Sequence, residues 1–180
     1  MGRLPDLVPD ELSAEQKRVY NEIAGTRRAV RGPFAIWLTV PYIAERALQL
    51  QKLFNYESRL EKRLMQLMMI TTARLWSAQF AWFIHAEHAL KLGIAPEVVE
   101  AIRDNKDPPF ERDDERLVYD VVTELNRDKT LSDATYARAV AMLGRERLVE
   151  LVAAAGFYVM VAMTLNAFDA PVPDGSRPLP

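Results

Sequence analysis

Apolar residues recur at helical spacing through most of the chain, and no stretch alternates in the two-residue rhythm of a half-buried strand. Ser13 and Gln16 stand three apart, as a capping box requires, and predict a helix opening at Ser13 and running to about Gly25. A basic loop carrying Arg27, Arg28 and Arg31 ends in Gly32-Pro33, a boundary signal. Beyond it the spacing predicts a short helix over 34–40, a longer one opened by Pro41 and reaching about 55, and a close pair over 60–75 and 77–92. Gly93 falls where a left-handed C-terminal cap belongs, and a short helix is expected over 96–103. Residues 106–112 hold Pro108 and Pro109 and read as a linker that no regular element crosses. Helices are then expected over 113–125, over 132–143 with Ser132 as N-cap, and over 145–167. The last ten residues contain four prolines and predict an extended arm. The pattern is that of an all-α fold, a single domain over 1–180 with its C-terminal arm at 171–180.

Composition narrows the function classes. The chain has 180 residues, 49% of them hydrophobic, enough to bury a sizeable core. A net charge of -2 gives no electrostatic reason to expect nucleic acid or an anionic membrane surface as partner. No apolar run is expected to reach the length of a spanning helix, and no signal peptide is read at the start. Zero cysteines exclude disulfides, thiolate metal sites and thiol nucleophiles, and a reducing cytoplasm is the expected compartment. The chain also lacks a glycine-rich phosphate loop, so a nucleotide cofactor is not expected.

Chemistry is concentrated in the predicted pair over 60–92. Gln66 is the only polar residue from Leu64 to Ile70, and His85 the only one from Phe80 to Ala86. A helix apolar all round is buried, and a buried amide or imidazole without a partner costs about 1–3 kcal/mol. A short connection near Leu75 and Trp76 makes the two helices antiparallel neighbours. Each polar residue stands nine or ten positions from that turn, so both lie at nearly one level of the hairpin. Two readings follow. Gln66 and His85 form a hydrogen bond that pins helix register, or His85 serves as general acid/base in an apolar pocket, an imidazole ordinarily titrating near pH ~6.5.

Other residues carry weaker signals. His88 lies one turn beyond His85, but two histidines with Glu87 between them match no zinc helix motif, and no metal is expected. His88 fits solvent, an interface or the edge of a substrate site. Trp82 fits core packing or a ligand wall, as does Trp76. Arg74 fits a local ion pair or a grip on a substrate carboxylate. Tyr158 and Asn166 fit either a pocket lining or helix contacts.

The stretch Ala73-Arg74-Leu75-Trp76-Ser77-Ala78-Gln79-Phe80-Ala81-Trp82, followed by His85 and by Leu92-Gly93-Ile94, resembles the carboxymuconolactone decarboxylase and alkylhydroperoxidase-D-like superfamily. Arg31-Gly32-Pro33-Phe34 and Met163-Thr164-Leu165-Asn166-Ala167-Phe168-Asp169 extend the likeness to roughly residues 3–172. The resemblance implies an AhpD-like helical bundle built around a helix hairpin and assembled as a homotrimer or homohexamer. It also implies a histidine at His85, a glutamate at the place of Gln66, and cysteines at the places of Ala78 and Ala81. Family decarboxylases often carry a glutamate four before the histidine, again the place of Ala81. Only the histidine is present, so sulfenic acid and disulfide steps are excluded. The implied function is a cofactor-free decarboxylase or related lyase/isomerase on a small unsaturated carboxylate or lactone. His85 and Gln66 would be catalytic, with Arg74, Trp82 and His88 toward substrate. The alternative is a non-catalytic oligomeric scaffold or ligand-binding relative.

Overall fold

A computed structural model describes residues 2–4, 7–26 and 29–180; Arg27 and Arg28 of the basic loop lie outside them. Among the described residues there are eight α-helices and no strand: α1 (Ala14–Ala24), α2 (Pro33–Trp37), α3 (Pro41–Lys52), α4 (Lys62–Leu75), α5 (Gln79–Lys91), α6 (Pro96–Arg103), α7 (Asp113–Arg127) and α8 (Asp133–Ala167).

Local chemistry sets most boundaries. The Ser13 hydroxyl accepts the Gln16 N–H while the Gln16 side chain accepts the Ser13 N–H, closing the capping box at α1. Gly93 takes φ 89° just past α5, and the Ser132 hydroxyl accepts the Thr135 N–H at the start of α8. Gly144, at φ 79° and ψ 161°, breaks α8 into arms over 133–143 and 145–167, the two helices expected from the sequence. Three boundaries differ from expectation. Helix α2 stops at Trp37 because Val40 precedes a proline and sits at ψ 84°, outside the helical region. Helix α3 ends at Lys52 and widens into a π-turn over Leu53–Glu57. Helix α5 begins at Gln79 because Ser77 adopts φ 47°.

Helix α4 is the centre of the molecule. Leu64, Met65 and every residue from Leu67 to Ala73 are buried on it, and α5, α7 and α8 pack around it. Three residues join α4 to α5, so the two run antiparallel side by side. Arg63, at the start of α4, reaches Glu115 at 2.5 Å and Asp114 at 2.7 Å on α7. That buried ion cluster fixes α4 against α7.

Helix α8 corrects one expectation. It is long and apolar enough, by length and composition, to cross a membrane, and residues 151–168 contain no charged side chain. Gly156, Thr164 and Asn166 interrupt the run in hydrophobicity but not in charge. Half of its apolar window is buried inside this chain's own fold. On the other side Val149, Val152, Met160 and Met163 are exposed.

Residues 171–180 form no helix, yet they are docked. Gln79, the first residue of α5, donates its side-chain N–H to the Leu179 carbonyl at 3.1 Å and accepts the Leu179 N–H at 2.9 Å. The Leu179 side chain is buried.

Candidate functional site

The α4–α5 pair places Gln66 opposite His85. His85 Nδ1 lies 2.9 Å from Gln66 Oε1, so the ring donates its Nδ1–H to the amide oxygen. With the amide oxygen facing Nδ1, the matching neutral tautomer has its lone pair on Nε2. Tyr158 of α8 stands edge-on to the imidazole, with centroids 5.5 Å apart and planes at 81°. The His88 ring lies 6.3 Å from that of His85.

These four residues border a cavity of about 440 Å³. Its volume falls in the usual range of small-molecule sites. Buried apolar side chains form its floor, among them Phe54, Met65, Phe80, Val161 and Leu165. Gln66 and His85 are half-buried above that floor, and exposed His88, Tyr56 and Leu92 form part of the rim. The π-turn supplies Phe54, Asn55 and Tyr56, an instance of the association between π-segments and functional sites.

Not every expected residue is brought to this cavity. Trp82 is buried in the core and does not line it. Arg74 points away: its Nε–H donates to the Arg103 carbonyl at 2.7 Å, capping the C-terminal end of α6. The carboxylate-holding option for Arg74 is therefore corrected by geometry, because it sits two turns from Gln66 with its guanidinium engaged elsewhere. Asn166 donates to the Trp76 carbonyl at 2.6 Å and closes the end of α4. Tyr158 does line the cavity. Lys62 and Asn55, not singled out from the sequence, also line it, as does Arg31 of the basic loop, which the sequence suggests is simply a solvated surface. Lys62 was findable, since it lies one turn before Gln66 on the same helix face. Among the described residues no group of three or more potential metal ligands comes together. Ala78 and Ala81, at the places to which the sequence resemblance assigns cysteines, are both buried.

No family model matches the chain, and no curated protein matches its sequence. Solved structures do match. An uncharacterized peroxidase-related protein from Silicibacter sp. superposes with a TM-score of 0.76 at 12% identity, over 94% of this chain and 90% of that one. An alkylhydroperoxidase AhpD core protein from Ralstonia eutropha gives 0.79 at 13%, over 96% and 93%. A protein of unknown function from Agrobacterium tumefaciens gives 0.69 at 15%, over 76% and 94%. The chain thus has an all-α, AhpD-like fold. That is the fold the sequence resemblance implied, here carrying a histidine–glutamine pair and no thiol.

Proposed function

We propose that the chain is a cofactor-free decarboxylase or related lyase/isomerase acting on an unsaturated carboxylate or lactone. The observation that carries this reading is the His85–Gln66 hydrogen bond at the wall of an open cavity of about 440 Å³. In decarboxylation the carbon–carboxylate bond breaks, carbon dioxide leaves, and the electron pair delocalises into the adjacent carbonyl as a dienolate. The His85 imidazolium then delivers its Nε2 proton to carbon and recovers one from water. In an isomerisation the same atom removes a proton and returns it elsewhere on the skeleton. Gln66 holds the ring through Nδ1, and its side-chain N–H₂ donates to a substrate oxygen. A general acid of this kind contributes about 10²–10⁴-fold.

The His85→Gln variant is expected to lose about 10²–10⁴-fold in turnover while keeping its circular dichroism spectrum and melting temperature. Carbon dioxide release and double-bond isomerisation across a panel of unsaturated carboxylates and lactones measure it. Full activity in that variant, or none in the wild type, overturns the reading.

The replacement of the acid and of both thiols that the resemblance implies, by Gln66, Ala78 and Ala81, favours a second reading, a non-catalytic scaffold or ligand-binding protein. Binding without turnover across the panel supports it. Self-association belongs to either reading. Val149, Val152, Gly156, Met160 and Met163 recur at helical spacing on the exposed side of α8, an apolar stripe suited to a second copy of the chain.

A further inference from the structure

With Arg74 turned toward α6, the group that meets a substrate carboxylate has to come from the cavity itself. Among the described residues that line it, three are cationic (Arg31, Lys52 and Lys62) and none is acidic. Lys52 is paired with Glu22 at 3.1 Å. Arg31 and Lys62 have no ion-pair or hydrogen-bond partner among the described residues, and both are exposed, which puts them at the mouth. Lys62 stands four positions before Gln66 on α4, about 6 Å along the helix axis, so its ammonium opens onto the space that His85 faces. The floor beneath, with Phe54, Met65, Phe80, Val161 and Leu165, offers almost nothing but carbon.

We propose that this cavity takes an amphiphilic anion, its charged group gripped at the mouth by Lys62 and Arg31 and its apolar body lying over the buried floor. A carboxylate so held is already desolvated on one side and bonded to two cations, while the carbon skeleton is drawn beneath the imidazole. The volume fits a body larger than a single small ring. The assignment deepens the proposed function, since it uses the same cavity, but it does not depend on His85 moving a proton.

Octanoate, octan-1-ol and octyl phosphate separate charge from chain, with calorimetric titration against the full-length protein at low and physiological salt. Wild type is expected to bind octanoate at least about tenfold tighter than the alcohol, with affinity rising about fourfold per methylene from butanoate upward. In the Lys62→Gln/Arg31→Gln double variant octanoate should fall to the alcohol's level, with binding of the alcohol and the melting temperature unchanged. Tighter binding of octyl phosphate also supports the grip and assigns a phosphate monoester as the anionic group. Equal binding of acid and alcohol by wild type, no binding of either, or an undiminished preference in the double variant overturns the proposal. His85→Gln keeps the octanoate affinity if the grip is right. Full turnover in that variant with binding kept overturns the proposed function and leaves the grip standing, whereas loss of octanoate binding there overturns the grip.

Discussion

Gly32 and Phe80 approach so closely that no other residue fits at position 32. The backbone there has φ 60°, and an added Cβ would lie 2.5 Å from Phe80 Cε1. Since Phe80 lines the cavity, Gly32→Ala should both strain the loop and push the cavity wall. A loss of about 1–3 kcal/mol in a urea unfolding midpoint is expected, with weaker ligand binding alongside. At this scale the sequence was informative about composition and silent about direction. Gln66 and His85 stood out as single polar residues in apolar runs, and counting from the turn placed them at one level. Nothing in that counting told where Arg74 would point, because level along a helix does not fix azimuth. The partner it chose, the Arg103 carbonyl, lies on another element.

Between elements, the connection from α7 into α8 gathers its hydrogen bonds on one carboxylate. Glu124 accepts the Thr135 hydroxyl at 2.5 Å, the Ser132 N–H at 2.8 Å and the Ser132 hydroxyl at 3.2 Å. The Thr135 hydrogen bond first, and the Ser132 N–H after it, hold its carboxyl below the usual glutamate range. A depressed native value contributes stability that is fully present above the unfolded-state value and is lost as pH falls through the native one. Acid titration of the melting temperature should therefore show a limb below the ordinary glutamate range, and Glu124→Gln should flatten it; an unchanged limb removes this role. The same joint explains what was legible among the elements. Caps at Ser13, Gly93 and Ser132, and the break between residues 143 and 145, are decided by neighbours in sequence, and they appear where expected. The π-turn after Lys52 is not decided that way, since Leu53 and Phe54 continue the apolar spacing of α3, and only packing selects the wider turn.

For the whole molecule, the exposed stripe on α8 is a feature that one chain leaves uncovered. Wild type is expected to sediment well above the 20.5 kDa of a single chain, and Met160→Glu/Met163→Glu to return it to that mass. A monomeric wild type at micromolar concentration would sink the stripe as a self-association face. Its apolar character was visible in the sequence, but which half faces inward depends on α4, α5 and α7, and spacing alone could not assign it. The docking of Leu179 on Gln79 has its own reach. Helix α5, which carries both histidines, has its first residue tied to a segment a hundred positions downstream. Proteolytic trimming at the tail would release both bonds on the first residue of that helix and uncover the pocket that Leu179 fills, so shortened chains start the helix with an unsatisfied amide.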